Sequence, residues 1–287
     1  MAITFFHLIM EENSIENKML SFFFCQGNLG NSMFFFLSSY GLCFSYTNNS
    51  LAAFYQRRII RIYPLVLIYF IIAVYADSES INRVMVELPK QISGYSLVTN
   101  YCKAWFVQAL TLVYILFPIL FMMVEWVYKR GIGYLISLFI ILLVVKNFIY
   151  PFYAYLAASH IVVILLGILT YLCERDGKLD NLLAVYGITF LFAFTRLSNI
   201  GLIVPGIAYF LSFVKSRNRF LIFIGKHSLE IYLSQILIIP MISIGEGNIH
   251  FYYIRVLISI IFVSFLFGLL QYFSTKIIRH YVPILKA

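Results

Sequence analysis

Apolar runs of 16 to 25 residues recur between residues 28 and 275, and most of the polar connections between them are short. A helix needs about 20 mainly apolar residues to cross the hydrocarbon core of a bilayer. Hydrophobic residues make up 62% of the chain and charged residues only 11%, whereas soluble domains carry about 25% charged residues. We therefore expect an all-α fold, a polytopic transmembrane helix bundle, with residues 1–287 forming a single membrane-embedded domain.

The apolar runs predict about ten spans, of which the first is truncated. Residues 1–10 are apolar but too few to cross a bilayer unaided, and they lack the cationic front and cleavage site of a signal peptide. We expect them to be the outer part of a first span. The polar connection 77–103 is expected to face outward and to fold over the outer mouth of the bundle. The nine complete spans are predicted at 28–47, 59–76, 104–127, 132–150, 157–173, 181–196, 199–214, 228–245 and 251–275.

The basic residues indicate which ends of the spans face the cytoplasm. If the N-terminus is cytoplasmic, 14 of the 21 lysines and arginines lie on inner loops or on the C-terminal tail. This excess agrees with the preference of Lys and Arg for cytoplasmic loops, so both termini are expected inside. The same preference explains the net charge of +9, and no nucleic-acid partner is implied. The inner set is Arg57, Arg58, Arg61, Lys129, Arg130, Arg175, Lys178, Lys215, Arg217, Arg219, Lys226, Lys276, Arg279 and Lys286.

Cysteine and histidine are too scattered to predict a metal centre or a disulfide framework. The chain has four cysteines and five histidines, and it contains neither a CxxC pair nor an HExxH motif. Structural and catalytic metal sites need such closely spaced ligands. We therefore expect no metal.

Three arginines stand at the mouth of the predicted span 59–76. Fixed positive charges beside hydrocarbon are costly unless they reach the headgroup layer or hold an anion, and guanidinium groups are well suited to phosphate. Arg58 and Arg61 are three residues apart, so a helix places them on one face, with Arg57 beside them. Tyr63 and Pro64 follow directly. Cytoplasmic anchoring would not require this order, which favours a phosphate-bearing ligand.

Four stretches of the chain carry motifs in a common order. Residues 58–64 (RIIRIYP) match R-x-x-R-(I)-Y-P, and residues 30–40 (GNSMFFFLSSY) are similar to G-V-x-x-F-F-x-x-S-G-F/Y. Residues 105–110 (WFVQAL), with Tyr114 and Pro118, are similar to W-F/Y-L followed by Y-x-x-x-P, and residues 224–233 (IGKHSLEIYL) to G-x-x-S-x-x-I-Y-L. Together these stretches resemble the acyltransferase 3 family, integral-membrane enzymes that acylate sugars of surface and secreted polysaccharides.

The resemblance implies a membrane-bound O-acyltransferase, and more narrowly an O-acetyltransferase, of the plasma membrane. Its donor would be acyl-CoA, in the simplest case acetyl-CoA, used as a co-substrate with no bound cofactor. The acceptor would be a hydroxyl of a polysaccharide, glycan or lipid-linked sugar among the membrane lipids. Arg58 and Arg61, with Arg57, would hold the donor from the cytoplasmic side. His7 matches the family's first-span histidine and would act as general base, a role that suits an imidazole with a pKa near 6.5.

Five further residues are expected to support the site. They are Tyr63, Ser38, Trp105, Gln108 and Tyr114. Trp105 fits an aromatic belt at the membrane interface equally well. Direct transfer to the acceptor is expected, because no Ser or Cys has a clear nucleophile setting, and Ser38 is only a weak candidate for carrying the acyl group.

The chain departs from the family pattern at several positions, and two alternatives follow. Ser39 stands where the pattern has Gly, Ser234 and Gln235 stand where many members have His, and the arginine expected eleven residues before His7 would precede Met1. A catalytically defective acyltransferase relic is therefore one alternative. The other is a transporter or flippase for a lipid-linked sugar, although such proteins commonly show internal repeats and none is visible here.

Overall fold

The computed structural model describes residues 27–78, 81–98, 104–145, 148, 160–193, 200–212, 219–239 and 249–281. Within these ranges the chain is all-helical and has no strand, which confirms the all-α part of the expected fold. Two 3-10 turns, Tyr95–Val98 and Ile200–Ile203, join helices. The α-helices are α1 (Gly27–Thr47), α2 (Leu51–Ser78), α3 (Ile81–Ser93), α4 (Trp105–Arg130), α5 (Ile132–Val145), α6 (Ile161–Arg175), α7 (Leu179–Ala193), α8 (Val204–Ser212), α9 (Arg219–Lys226), α10 (Ser228–Ile238) and α11 (Ile249–Tyr281).

Three helices in the described part of the chain are long and apolar enough to cross a membrane. They lie at Leu51–Ala76 in α2, Trp105–Arg130 in α4 and Ile254–Ile278 in α11. Shorter apolar helices occur at Ile132–Leu142 and Ser228–Ile238. The described residues therefore have the composition of a helical membrane protein, but with three full-length candidates and not ten. Several other predicted spans form helices of only 9 to 15 residues within the described ranges.

Helix α2 begins earlier than the predicted span 59–76. The Ser50 side-chain oxygen accepts a hydrogen bond from the backbone N–H of Ala53 at 3.3 Å, which caps the first turn. The helix then continues through Pro64 to Ser78, as α4 continues through Pro118. Neighbouring helices and local adjustments can accommodate such prolines in membrane helices. As a result, the three arginines lie within α2, and the helix does not begin after them.

Helix α6 forms the centre of the bundle. Twelve of its 15 residues are buried, and it packs against α1, α4, α5 and α7. Its approach to α1 is close at Gly167, where an added Cβ atom would lie 2.7 Å from the backbone oxygen of Phe36 and would also clash with the Ser39 side-chain oxygen. Small residues permit this kind of backbone approach between helices in membranes. Helices α1 and α6 can therefore approach this closely only because Gly167 has no side chain.

A short helix occupies the connection that was predicted as the polar loop 77–103. Helix α3 packs against α2 and α4, and Lys90 forms an ion pair with Glu87 at 2.9 Å. Beyond it, the Ser96 hydroxyl donates to Gln108 Oε1 at 2.5 Å and Gln108 Nε2 donates to Gln91 Oε1 at 2.6 Å. These buried groups form the amide network that joins the connection to the start of α4.

Ion pairs join α4 and α6 near the other end of α4. Arg175 contacts Glu125 at 3.2 Å and Asp176 at 2.9 Å, and Lys129 contacts Glu125 at 3.4 Å. Seventeen residues of α4 separate Gln108 from Glu125, so the amide network and this ionic layer lie about 25 Å apart along the helix. That separation approaches the thickness of a bilayer hydrocarbon core, about 30 Å.

Candidate functional site

The three arginines of α2 have different environments. Arg57 and Arg61 are exposed, whereas Arg58 is half-buried. The guanidinium carbon of Arg58 lies 5.8 Å from the ring centroid of Phe54 and 5.8 Å from that of Tyr114. Both separations are within the range of about 6 Å over which a cation is attracted to an aromatic face. The two rings therefore hold the Arg58 head group at the contact between α2 and α4.

Tyr114 also connects this contact to α1. Ser38 of α1 lies near the Tyr114 hydroxyl, and the charges of Arg58 and Arg61 of α2 act on the same group. Residues from α1, α2 and α4 thus meet at one place. We call Ser38, Arg58, Arg61 and Tyr114 the arginine cluster.

The positive charge of this cluster has no acidic partner among the described residues. Within those residues neither Arg58 nor Arg61 forms a salt bridge, and the buried Nε of Arg58 has no hydrogen-bond acceptor. A buried donor without an acceptor is costly, and a guanidinium binds phosphate, carboxylate or carbonyl oxygens through several N–H groups. An anionic or carbonyl group could supply the acceptor that the Arg58 Nε lacks among the described residues.

The arginine cluster lies between the two polar layers of the bundle. Tyr114 is six residues from Gln108 and eleven from Glu125, which places it about 9 Å from the amide network and about 16 Å from the ionic layer along α4. The sequence placed the arginines at the inner rim of the membrane. In the structure α2 is already helical for seven residues before Arg58, so the arginines lie within the helix and not at its start.

The other predicted site residues lie apart from this cluster or outside the described residues. Gln108 takes part in the amide network through both its oxygen and its nitrogen, and the Trp105 ring lies 5.6 Å from the ring of His160. Tyr63 is half-buried on α2. His7 lies outside the described residues. Within the described ranges, no three His, Cys, Asp or Glu side chains come together as a metal-binding group.

A second polar feature, which the sequence reasoning did not single out, lies where α10 and α11 pack against α2. It is a cleft of about 470 Å³, and at its edge His227 Nδ1 lies 3.6 Å from Glu230 Oε1. The signal available in the sequence was a His and a Glu three residues apart at the start of a helix. The cleft is lined by His227, Glu230, Gly268, Gln271, Tyr272, Thr275 and Lys276.

A hydrogen bond connects the cleft to the stretch of α2 that carries the arginines. Gln271 Nε2, on α11, donates to the backbone oxygen of Arg61 at 2.6 Å and approaches that of Ile60 at 3.4 Å. One amide side chain thus connects the cleft wall to the helix that carries the arginines.

Comparison with known proteins adds no counterpart to this geometry: no family model, curated protein or solved structure matches the chain. The resemblance of four motifs to the acyltransferase 3 family therefore stays a prediction. The side chains of the arginine cluster are the structural evidence that bears on function.

Proposed function

We propose that the chain is a membrane-bound O-acyltransferase whose arginine cluster holds an acyl-CoA donor. The observation that carries the proposal is Arg58, which is half-buried between Phe54 and Tyr114 with a buried Nε that has no acceptor among the described residues. Ionisable residues inside membrane helices are expensive and mark ligand or ion pathways. A thioester carbonyl or a phosphate oxygen supplies the acceptor that Arg58 needs.

The positions of the three arginines suggest a division of roles. The donor enters from the cytoplasmic side and its extended pantetheine arm reaches toward the cluster, with the thioester carbonyl at Arg58. The exposed Arg57 and Arg61 are available to the phosphates of the donor. Hydrogen-bond donors such as guanidinium N–H groups, when directed at the carbonyl oxygen, stabilise the negative charge that develops there during acyl transfer.

In the proposed reaction, His7 takes the proton from an acceptor hydroxyl. The hydroxyl oxygen attacks the thioester carbonyl carbon, a C–O bond forms and the C–S bond breaks. The thiolate of coenzyme A leaves and takes the proton from the imidazolium. The products are an O-acyl ester and free coenzyme A, and no covalent enzyme intermediate is needed.

The finer membrane arrangement belongs to the same proposal. We propose about ten spans in the plasma membrane, with both termini cytoplasmic and an acetyl group as the simplest acyl group. The acceptor is a glycan or a lipid-linked sugar. The excess of basic residues on predicted inner loops supports this orientation.

Acetyl-CoA binding by the purified full chain in lipid vesicles tests the donor site. We expect Arg58→Gln to weaken binding by about tenfold or more, since loss of a charge-assisted hydrogen bond costs about 1.5–3 kcal/mol. Lys129→Gln is the matched control, because it removes an exposed positive charge of α4 outside the cluster. Equal affinity of both variants and the unmodified chain would refute the assignment of Arg58.

The same assay separates the alternative functions. Guanidinium groups would also suit the phosphates of a lipid-linked sugar, so a flippase is compatible with the cluster. A flippase should not bind acetyl-CoA, whereas an acyltransferase should bind it and transfer its labelled acetyl group to a glycan acceptor. A defective relic should bind it without transfer.

A further inference from the structure

The cleft beside α11 has the size and the composition of a ligand site. Its volume of about 470 Å³ falls within the range of about 300–1,000 Å³ that is common for small-molecule sites. Glu230, on its wall, is only 7% exposed. Buried carboxylates are costly unless they are paired or hydrogen-bonded. His227, at 3.6 Å, is an ion-pair partner only when protonated, and that separation is too long for a hydrogen bond.

The cleft offers hydrogen-bond acceptors on its inner wall. The amide nitrogen of Gln271 is engaged with the backbone oxygens of Ile60 and Arg61, and this leaves Gln271 Oε1 buried with no donor among the described residues. The Glu230 carboxylate is a second acceptor. A ligand with two or more hydroxyl groups would satisfy both, because each hydroxyl can donate one hydrogen bond.

The cleft also carries a positive charge at its open side. Lys276 is exposed and lines the cleft together with the hydroxyl-bearing Tyr272 and Thr275. An ammonium group binds phosphate as a compact point charge. The lining therefore suits a group that combines a phosphate with free hydroxyls.

The rest of α11 indicates that this group belongs to a lipid. Little of the apolar stretch Ile254–Ile278 is buried, and large side chains such as Ile261, Phe262 and Phe265 are each at least 60% exposed. Gly268 and Gln271 follow on the same helix and enter the cleft wall. An acyl chain that lies along the exposed face of α11 would bring its headgroup to the cleft, and basic pockets between membrane helices bind lipid headgroups in this way.

We infer that this cleft binds the headgroup of a phospholipid with free hydroxyls, of the phosphatidylglycerol class. Lys276 holds the phosphate, and the glycerol hydroxyls donate to Glu230 and to Gln271 Oε1. Phosphatidylcholine has no headgroup hydroxyl and leaves both acceptors unsatisfied. The assignment does not depend on acyl transfer, because it concerns a different set of side chains from the arginine cluster.

Native mass spectrometry of the delipidated full chain in detergent, titrated with each lipid, tests the inference. We expect one phosphatidylglycerol to bind at least about tenfold more tightly than phosphatidylcholine. A tenfold difference in affinity is the size of effect that one hydrogen bond to a charged group contributes to binding. Gly268→Leu should remove this preference, because its side chain projects into the cleft. Gly268→Ala is the matched control, since its Cβ would make an ordinary contact of 3.8 Å with His227 Nδ1.

A second variant and a soluble probe complete the experiment. Glu230→Gln keeps the size of the side chain but removes the carboxylate, and it should lower phosphatidylglycerol binding about fivefold or more. Equal binding of the two lipids, or an unchanged preference in both Gly268→Leu and Glu230→Gln, would overturn the inference. So would displacement of the lipid by equimolar glycerol 3-phosphate, because the site would then recognise a soluble phosphate ester without acyl chains.

Discussion

Arg58 shows how one residue's position on a helix decides what it can bind. Successive residues of an α-helix are rotated by about 100°, so Arg61 lies about 60° and Arg57 about 100° around the axis from Arg58. The buried face of α2 includes Phe54 and Ile62. Arg58 lies on this face, four residues from each of them, whereas Arg57 and Arg61 are exposed. The spacing of three residues predicted a shared face, and the structure adds which arginine turns inward.

Asp176 offers a residue-scale prediction about pH. The hydrogen bond from Arg175 at 2.9 Å lowers the pKa of the Asp176 carboxyl below its usual value. A lowered folded-state pKa contributes stability above the unfolded-state pKa, about 3.9, and this contribution is lost as the pH falls through the folded-state value. We expect Asp176→Asn to lower the unfolding temperature at pH 7 but to have little effect at pH 2.

The size of this effect is limited because the pair is partly exposed. Such ion pairs contribute up to about 1 kcal/mol, so the expected change is small but measurable by thermal unfolding in detergent between pH 2 and pH 7. Arg175→Gln removes the donor and should also weaken the pH dependence. An equal effect of Asp176→Asn at both pH values would show that the carboxylate charge plays no part.

At the scale of single helices, the apolar runs predicted the positions of α1 and α11 well. The predicted span 28–47 matches α1 to within one residue at its start, and span 251–275 lies inside α11. Continuous apolar runs do not predict helix α3, because its apolar residues alternate with polar ones. They also do not predict the start of α2, because the apolar run begins after the arginines whereas the helix begins at Leu51, next to the Ser50 cap.

The candidate site could be predicted only in part for a similar reason. Motif order singled out Ser38, Arg58, Arg61 and Tyr114, which the structure brings together from three helices. The amide network involves three separate elements, and nothing in the local sequence around Gln108 indicates which polar groups it meets. The acceptors of the cleft are likewise created by the packing of α10 and α11, which single-sequence reasoning does not define.

The contact between α1 and α6 leads to a prediction at the level of a helix pair. An alanine at position 167 would place its Cβ within 2.7 Å of a backbone oxygen, so the two helices would have to separate. We expect Gly167→Ala to destabilise the protein by about 1–3 kcal/mol, the usual cost of overpacking. Thermal unfolding in detergent measures this change.

Gly187 on α7 provides the matched control. A Cβ at this position meets nothing within 4 Å, so Gly187→Ala should be neutral or stabilising by about 0.5–1 kcal/mol through its effect on helix propensity. If the two alanine variants unfold at the same temperature, the close approach of α1 and α6 has no energetic role.

At the scale of the whole molecule, two polar layers enclose the bundle. The amide network and the Glu87–Lys90 pair lie near the start of α4, and the ion pairs of Arg175 lie near its end. Between them the described core is mainly aliphatic and aromatic. This arrangement is typical of a protein whose two ends face water and whose middle faces hydrocarbon.

The two layers predict which positions a membrane-impermeant reagent can reach. We expect Lys90→Cys to react with an impermeant maleimide from outside intact cells and Lys178→Cys to react only after permeabilisation. Both variants would be made after replacing Cys25, Cys43, Cys102 and Cys173 with Ser, so that the native thiols do not interfere. The opposite pattern would invert the proposed topology, and reaction of both positions from outside would contradict a transmembrane arrangement of α4.

The close fit at Gly167 has a further consequence for movement. Two helices that interlock at their backbones cannot slide past each other, so α1 and α6 form the stationary part of the molecule. Helix α11 has little of its surface covered and touches α10 and α2. We therefore expect α11 to be displaced more easily than α1 or α6, and a crosslink that ties α11 to α2 to restrict that movement.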